Sequence, residues 1–318
     1  MANISDTPAA IPIAQHRNLF YHIYTLFLFT CRDIKSVVIP HTIFAISGTL
    51  ARQSIFTPIH HPSNFWDIIR SLPQTLVWIW ICLLMVNISN QRLTEAILED
   101  KVNRAWRPLP AGRISQTEAA YLLATGIPIT IGISYYLGVL VPGIACLVIS
   151  WLYSEFDLGS ASAIGRSILC GVWVASFNAG ALGAMANASL ENLSPTGQTW
   201  LLMTGGIALT TMHSADFADI EGDRVRDRKT WPLVYGETAA RWLAATAALA
   251  WSFYGLQVWG LQVWTVRAIA VQAVPVMLAM AMAVTFLAAK GKAMDKRGWR
   301  LCCYWVMSMY ILPAFGTA

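Results

Sequence analysis

The sequence at residues 197–223, GQTWLLMTGGIALTTMHSADFADIEGD, is a long apolar segment that runs directly into acidic residues. Its first part, 197–218, is long enough to cross a bilayer core of about 30 Å, which takes about 20 residues of α-helix. Asp216, Asp219 and Asp223 follow the spacing i, i+3, i+7, which predicts that they share one face of a helix. Carboxylates at the end of an apolar helix are costly to desolvate and usually mark a functional site. The stretch therefore predicts a membrane-spanning helix with a site at its end.

The composition of the whole chain agrees with a membrane location. Hydrophobic residues make up 56% of the 318 residues and charged residues 12%, whereas soluble proteins average about 45–50% and about 25%. The mean hydropathy is +0.52. These values exclude a secreted disulfide scaffold, a disordered chain, a coiled coil and a nucleic-acid binder, and the six cysteines show no CxxC spacing. The chain is predicted to be an all-α integral membrane protein.

Apolar segments of membrane-spanning length recur along the chain, and short loops separate them. We predict nine transmembrane helices in a single domain over residues 1–318, in which residues 1–33 form an N-terminal tail with an interfacial helix at 19–30. The nine predicted spans are 34–54, 71–92, 116–138, 139–156, 160–185, 197–218, 238–259, 263–289 and 299–316.

Lysine and arginine residues are distributed unevenly between the two ends of the predicted spans. If the N-terminus and the loops after spans two, four, six and eight share one side, that side holds nineteen of the 22 lysines and arginines. Arg52, Arg70 and Arg267 fall on the other side. Because loops rich in Lys and Arg remain cytoplasmic, we expect a multi-pass protein, in the endoplasmic reticulum, whose acidic site faces the cytoplasm.

The first acidic cluster along the chain follows predicted span two, in the sequence VNISNQRLTEAILEDKVNRAWRPLPAGRIS at 86–115, and the acids at 216–223 form the second. Amide and carboxylate side chains come first, and several arginines follow them. The oxygen donors are Asn87, Asn90, Gln91, Glu95, Glu99 and Asp100. Carboxylates beside several guanidinium groups are suited to bind Mg²⁺ together with a polyanion, because arginines bind phosphate oxygens in a bidentate manner.

The two acidic clusters together limit the kind of ligand. Aligned carboxylates repel one another unless a cation neutralises them, and Mg²⁺ prefers one or two carboxylates together with waters and substrate phosphates. The ligand must carry a diphosphate-like head at the cytoplasmic end of the spans and a tail apolar enough to enter a helical membrane protein. A prenyl diphosphate meets both requirements. Departure of its diphosphate would leave an allylic cation, which aromatic faces stabilise.

The two clusters resemble the signatures of the UbiA superfamily of intramembrane prenyltransferases, over nearly the whole chain. Asn90 and Asp100, followed by NRAWRPLPAGR at 103–113, are similar to the first signature, an Asn- and Asp-rich segment that leads into N-K-P-x-R-P-x-P-x-G-R. The sequence DFADIEGDRVRDRKTWPL at 216–233 is similar to the second signature, of the DxxxD type. The resemblance implies a nine-helix bundle around a central cavity, with Mg²⁺ held between the signatures and the loops after spans two and six covering the diphosphate.

The resemblance also implies roles for individual residues. The implied catalytic residues are Asp100, Asp216, Asp219 and Asp223. The implied ligands of the Mg²⁺ cofactor are these four aspartates with Asn90 and Glu99. The implied diphosphate-binding residues are Arg104, Arg107, Arg113, Arg228 and Lys229.

The first signature departs from the family pattern NxxxDxxxD. Counting back from the last aspartate, Ala96 and Arg92 stand where an acid and an asparagine are expected. It stays open whether Asn90, Gln91 or Glu95 completes the first metal site. The form present here resembles fungal members of the superfamily, which include UbiA-type terpene cyclases.

Two reactions fit these features. The first is a class I terpene cyclase that converts farnesyl or geranylgeranyl diphosphate to a cyclic terpene. The alternative is a prenyltransferase that joins the prenyl chain to an aromatic acceptor, which often needs a base. The candidate bases are His41, His213, Glu155 and Asp157. Cyclisation is favoured, because aromatic and apolar residues are abundant whereas a clear buried base is not.

A transporter or lipid-binding helical bundle, whose acids serve ion coupling, is a third hypothesis, from a different class of protein. It predicts acids near mid-span and broken helices, whereas the two clusters lie at one membrane face beside arginines. The expected partners of the chain are the prenyl diphosphate and the lipid bilayer, with no nucleic acid. Prenyl chain length, product skeleton and oligomeric state stay open at this point.

Overall fold

A computed structural model describes residues 17–57, 64–261, 266–288 and 291–316. Residues 1–16 of the predicted N-terminal tail and residues 263–265 and 289 of predicted span eight therefore lie outside the described residues. The described chain is built from helices, and an isolated β-bridge pairs Phe56 with Leu193. The prediction of an all-α protein is confirmed for this part of the chain.

The longer helices follow one another with short connections. Numbered in chain order, they are α1 (Leu19–Thr30), α2 (Ile39–Leu50), α3 (Phe65–Gln91), α4 (Thr94–Asn103), α5 (Gln116–Tyr136), α6 (Leu140–Ser154), α7 (Ala163–Ala186), α8 (Pro195–Thr211), α9 (Ile220–Val225), α10 (Glu237–Val258), α11 (Val266–Ala288) and α12 (Lys292–Tyr310).

Each of the nine predicted spans overlaps one of these helices, but some of the spans are divided. The span predicted at 34–54 consists of a π-helical turn (Ile34–Val38), α2 and a short helix (Arg52–Ile55). In the span predicted at 197–218, α8 ends at Thr211 and a 3₁₀ segment, Met212–Ala218, continues the chain. A 3₁₀ segment winds more tightly than an α-helix, so it changes the directions in which the following acids point.

Within the described residues, four helices are long and apolar enough to cross a bilayer: α3, α5, α7 and the part of α11 at 269–288. Helix α6 is apolar but shorter. Apolar helical stretches of 18 or more residues with few charges are typical of segments that cross a bilayer. The chain is therefore an integral membrane protein.

The starts of two long helices are fixed by side chains that bind free backbone N–H groups. Asn64 accepts a hydrogen bond from Asp67 N at the start of α3, and Ser115 accepts one from Glu118 N at the start of α5. In both, the acidic side chain bonds back to the capping residue. The start of α5 lies directly after the arginine-rich loop, so this cap fixes where that loop ends.

Helix α7 is at the centre of the bundle and packs against α2, α3, α6 and α8. Its contact with α8 is close, because a Cβ atom on Gly171 would lie 2.8 Å from Gly205 O. Small residues at such contacts let helix backbones approach in a membrane. Larger side chains fill the space nearby, where the rings of Phe44 and Trp200 stack with centroids 3.7 Å apart. This packing holds the first residues of α7 beside the acids that follow α8.

Candidate active site

The first acidic cluster lies on α4, the short helix that follows α3. Glu99 and Asp100 are 4% and 1% exposed. Arg107 Nη1 lies 2.9 Å from both carboxylate oxygens of Asp100. Burial raises the pKa of the Asp100 carboxyl, and the guanidinium of Arg107 opposes that shift. The buried carboxylate of Asp100 is therefore compensated by an arginine from the loop that follows it.

The aspartates of the second cluster do not share one continuous helix, which corrects the prediction from their spacing. Asp216 lies in the 3₁₀ segment, Asp219 flanks the start of α9, and Asp223 lies within α9. On one helix face the three carboxylates would stand in a column and repel one another. The end of α8 and the 3₁₀ segment that follows it place the three aspartates in different elements. Each aspartate therefore meets an arginine from a different part of the chain.

Each aspartate of the second cluster has its own arginine partner. The pairs are Asp216 with Arg166 (2.6 Å), Asp219 with Arg104 and with Arg32 (3.6 Å), and Asp223 with Arg228 (3.4 Å). These arginines come from the start of α7, the loop after α4, the turn after α1 and the loop after α9. The ion pairs thus join distant segments of the chain at one place.

Glu99 links the two clusters. Its Oε2 lies 3.2 Å from Arg226 Nη1 and 3.4 Å from Arg228 Nη1, and Arg228 also pairs with Asp223. The two sequence signatures therefore meet in one site, as the resemblance implied. Counted over the described residues, this acid–arginine site contains six arginines and five carboxylates, so it is close to neutral. Its members are Arg32, Arg104, Arg107, Arg166, Arg226 and Arg228 with Glu99, Asp100, Asp216, Asp219 and Asp223. A diphosphate that entered it would need accompanying cations.

Helices α9 and α4 approach each other closely at Gly222. A Cβ atom at this position would lie 2.1 Å from Asn103 Nδ2, far inside contact distance, and 3.1 Å from Glu99 Cγ. Asn103 Nδ2 in turn donates a hydrogen bond to Asp219 O at 3.2 Å. The absence of a side chain at Gly222 thus sets the spacing between the two acidic clusters.

Some buried carboxylate oxygens of the site have no hydrogen-bond partner among the described residues, namely Asp216 Oδ2 and Asp223 Oδ2. Burial raises the pKa of Asp223 to about 7, and the nearby charges of Asp216 and Glu99 reinforce the shift. Free carboxylate oxygens in this setting fit Mg²⁺. The described chain holds no ready-made group of three or more His, Cys, Asp or Glu side chains for a metal, so a cation would share its ligands with phosphate oxygens and water.

The three alternatives for completing the first metal site lie in different environments. Asn90 lines a cavity in the bundle, and its Oδ1 accepts a hydrogen bond from Arg226 Nη1 at 3.2 Å. Gln91 is fully buried, and its Nε2 donates to Phe29 O at 3.1 Å. Glu95 is exposed in the first turn of α4. Of the three side chains, Asn90 both lines the cavity and contacts Arg226, which pairs with Glu99.

Two of the residues predicted to bind diphosphate lie apart from the acids. The guanidinium carbon of Arg113 is 4.1 Å from the centroid of the Tyr21 ring, and Arg113 Nη2 donates to Thr25 Oγ1 at 3.2 Å. The Lys229 side chain is exposed, while its backbone N–H donates to Ser160 O at 2.8 Å. Neither side chain forms an ion pair with another described residue. Arg113 instead attaches the loop to α1.

The sequence motifs did not single out Arg32, Arg166 or Arg226, although all three pair with acids of the site. The sequence could have indicated Arg166, because a lone arginine inside a predicted span is energetically costly unless it has a partner. Arg226 lies within the second signature but resembles an ordinary loop charge. Arg32 precedes the first predicted span and belongs to no motif.

A cavity of about 250 Å³ extends from the acids into the helical bundle. Asn90 and Arg166 lie at its polar end, and Leu83, Leu169 and Trp173 are among its apolar walls. A smaller chamber of about 30 Å³ adjoins it. The residues that line both spaces are Ser36, Met212 and Trp299. An apolar chain can therefore lie within the bundle while an anionic head stays at the acids and arginines.

The fold and the paired acidic clusters agree with a family comparison, in which residues 42–308 match the model of the UbiA prenyltransferase family. The chain belongs to this family. The match spans both acidic signatures, and it confirms the resemblance inferred from them. A UbiA-family member of this kind handles prenyl chains within the membrane, which is consistent with a polar site that opens into an apolar cavity.

Relatives of this UbiA-family chain include proteins named for both reactions. It is 28% identical over 246 residues to the fumagillin beta-trans-bergamotene synthase of Aspergillus fumigatus, a match that covers 74% of each protein. It is 23% identical over 235 residues to a polyprenyl transferase of Hericium erinaceus, covering 72% of this chain and 74% of that protein. The chain is accordingly an enzyme, a terpene cyclase or a prenyltransferase.

A solved structure supports the UbiA fold. The structure of a UbiA homologue from Archaeoglobus fulgidus bound to GPP and Mg²⁺ has a TM-score of 0.61 against this chain at 11% identity. The likeness covers 91% of this chain and 98% of that protein. At this identity it concerns the fold, which the two UbiA-family proteins share over nearly their full lengths.

Proposed function

We propose that this enzyme is an intramembrane terpene cyclase, which ionises a prenyl diphosphate such as farnesyl or geranylgeranyl diphosphate and closes the resulting cation into a ring. The observation that carries the proposal is the position of Arg166 and Asn90. Both line the apolar cavity, and both are bound to charged members of the acid–arginine site. A substrate with an anionic head and an apolar tail fits this junction.

The basic residues of the site would hold the leaving diphosphate. Arg107 and Arg228 are buried and Arg104 is half-buried, and all three pair with carboxylates. When a cation binds those carboxylates, the guanidinium groups can donate hydrogen bonds to phosphate oxygens in a bidentate manner. Bound Mg²⁺ would supply electrostatic stabilisation of the departing diphosphate. Asp100, Asp216, Asp219, Asp223, Asn90 and Glu99 would hold it.

The size of the cavity favours cyclisation over transfer. Pockets for small molecules measure about 300–1,000 Å³, and the main cavity, at about 250 Å³, lies just below that range. One folded prenyl chain fills such a space, whereas transfer needs an acceptor beside the chain. Apolar walls formed by residues such as Leu83 and Trp173 exclude water, which protects a carbocation until it reacts with the double bonds of its own chain.

Prenyl transfer is the second candidate, and the similarity to a polyprenyl transferase supports it. Transfer to an aromatic acceptor calls for a base near the reacting carbon. His213, the nearest histidine in sequence to the acids, does not line either of the two cavities, and its Nε2 lies 2.9 Å from Ala240 O. Glu155 forms an ion pair with Arg92. Neither His213 nor Glu155 is therefore placed as an acceptor base at the mouth of the cavity, which is its polar end beside the acids.

We also propose that all nine predicted spans cross the membrane, with the acid–arginine site facing the cytoplasm of an endoplasmic reticulum membrane. Helical segments occur at each predicted span in the described chain. The excess of lysine and arginine on the side of the acids supports the orientation. The exposed apolar side chains of α1, among them Phe20 and Phe27, suit a helix that lies at the membrane interface.

The reaction is tested with purified enzyme, Mg²⁺ and a single prenyl diphosphate, without any acceptor. We expect release of diphosphate together with a cyclic hydrocarbon or alcohol, detected by gas chromatography with mass spectrometry. Farnesyl and geranylgeranyl diphosphate are assayed separately, because the cavity does not specify the chain length. A requirement for an added phenolic acceptor, with prenylated acceptor as the product, would replace the cyclase proposal with the transferase one.

A further inference from the structure

His41 lies on α2 at the inner end of the cavity system, far along the chain from the acidic signatures. It is 2% exposed and lines the small chamber of about 30 Å³. Tyr310 lines the same chamber, and the rings of Phe177 and Trp173 lie 4.9 and 6.2 Å from the His41 ring. A titratable side chain in such apolar surroundings is costly and in a membrane protein points to a function.

The hydrogen bond of His41 defines which of its nitrogens can accept a proton. Nδ1 lies 2.8 Å from Val37 O. Because a carbonyl oxygen only accepts hydrogen bonds, Nδ1 must carry the proton of the neutral ring, and Nε2 is left with its lone pair. Nε2 is buried and has no hydrogen-bond partner among the described residues. The ring is therefore oriented as a base, and nothing in the described chain occupies its basic nitrogen.

We propose that His41 Nε2 is the base that ends the carbocation reaction, an inference that rests on the proposed cyclase function. When a distant double bond of the prenyl chain attacks the ionised carbon, the positive charge moves to a carbon farther along the chain. The small chamber that His41 lines, the inner chamber, lies beyond the residues that it shares with the main cavity. When the diphosphate is held at the acids, the far end of the prenyl chain therefore lies toward the inner chamber. The charge thereby moves away from the diphosphate and toward His41.

The terminating step balances without any further reagent. Nε2 takes a proton from the carbon next to the cationic carbon, and the electron pair of the broken C–H bond forms the new double bond. The product is a neutral cyclic hydrocarbon, and His41 becomes an imidazolium whose Nδ1–H bond to Val37 O is strengthened by the charge. When the product leaves and water enters, Nε2 returns the proton to water or to the released diphosphate.

The competing base is the diphosphate at the mouth. Tyr310 is not a competitor, because a neutral phenol is a weak base and its hydroxyl accepts a hydrogen bond from Asn178 Nδ2 at 3.1 Å. A diphosphate base removes a proton close to the ionised carbon, whereas His41 removes one from the part of the chain in the inner chamber. The two bases therefore give double-bond isomers that differ in position.

The test compares two variants of His41 with a matched histidine control. His41→Gln keeps a donor for Val37 O, and His41→Phe keeps the aromatic packing against Phe177; neither side chain is basic. His213→Gln is the control, because His213 is also buried in the bundle, 3% exposed, and lines neither of the two cavities. Diphosphate release and the distribution of products are measured for each protein with the same prenyl diphosphate and Mg²⁺.

We expect both His41 variants to retain diphosphate release within about tenfold, since ionisation occurs at the mouth. The share of the normal hydrocarbon should fall about tenfold or more, in favour of other double-bond isomers or alcohols formed by water capture. His213→Gln should leave the product ratio unchanged. An unchanged ratio in either active His41 variant, or a wild-type product that is entirely alcohol, would overturn the role of His41. A wild-type enzyme that forms no cyclic product without an acceptor would instead overturn the cyclase function itself.

Discussion

Arg166 Nη2 lies 2.6 Å from Asp216 Oδ1, and this ion pair joins two helical segments that are 50 residues apart in sequence. Arg166 also donates a hydrogen bond to the Tyr153 hydroxyl and another, at 3.4 Å, to Gly159 O. Arg166 and Tyr153 both line the main cavity. The pair therefore stands where the acid–arginine site opens into the apolar space.

Replacing Arg166 should affect the ionisation step. Arg166→Gln removes the charge opposite Asp216, and we expect kcat for diphosphate release to fall about 10²-fold or more, as when one electrostatic donor is removed from an active site. Arg166→Lys should recover part of the rate, because an ammonium group keeps the charge but not the planar fork of donors. The control is Arg224→Gln, at an exposed position on α9. Equal activity of Arg166→Gln and Arg224→Gln would show that Arg166 is not part of the site.

Two acids on α9 allow a direct test of the buried carboxylates. Asp223 is 1% exposed, whereas the side chain of Glu221 is 73% exposed and pairs with Lys292 at 3.4 Å. We expect Asp223→Asn to lower turnover about 10²-fold or more and to raise the Mg²⁺ concentration needed for half-maximal activity. Glu221→Gln should stay within about twofold of the wild type, because exposed ion pairs contribute little. Similar losses in the two variants would argue for a general effect on α9.

The close approach of α9 and α4 predicts that Gly222→Ala separates the two acidic clusters. The new Cβ would overlap Asn103 Nδ2, so α9 or the Asn103 side chain must move. Overpacking of this kind typically costs about 1–3 kcal/mol, and we expect activity to fall about tenfold or more. Gly132→Ala on α5 is the control, because no atom lies within 4 Å of its added Cβ. Thermal unfolding of both variants separates a loss of activity from a loss of the fold.

The sequence was sufficient to predict the two acidic clusters and most of the helices, because charges inside apolar sequence stand out and because apolar length predicts spanning helices. It predicted that Asp100, Asp216, Asp219 and Asp223 belong together, and the structure brings them to one site. The break after Thr211 was not predictable in the same way. The apolar pattern continues past that residue, and nothing local indicates that each aspartate will meet a different arginine.

The pairing of charges is the part that the sequence alone could not supply. Asp219 pairs with Arg104 across 115 residues, and Asp216 with Arg166 across 50. Helical periodicity relates residues only within a few turns, so it cannot choose among the many arginines on one side of the membrane. That choice depends on the packing of α7 against α8. Arg113 illustrates the same limit, since it belongs to the first signature but stacks on Tyr21.

The number of membrane crossings can be tested with single cysteines introduced at exposed positions in three loops. Ser115 precedes α5, Glu191 lies between α7 and α8, and Lys292 begins α12. If all nine spans cross, three crossings separate Ser115 from Glu191 and three more separate Glu191 from Lys292. Ser115→Cys and Lys292→Cys should then react with an impermeant maleimide added to the cytoplasmic side of sealed microsomes, and Glu191→Cys should react only after the membrane is opened.

A smaller number of crossings gives a different labelling pattern. If only α3, α5, α7 and α11 crossed, two crossings would lie between Ser115 and Glu191, and these positions would share one side. Six free cysteines are present, and Cys31 and Cys170 are partly exposed, so the unsubstituted protein serves as the background. Labelling of Ser115→Cys and Glu191→Cys from the same side would contradict nine spans. Labelling of Ser115→Cys only from the lumen would reverse the orientation, and the charge bias of 19 to 3 makes that outcome unfavourable.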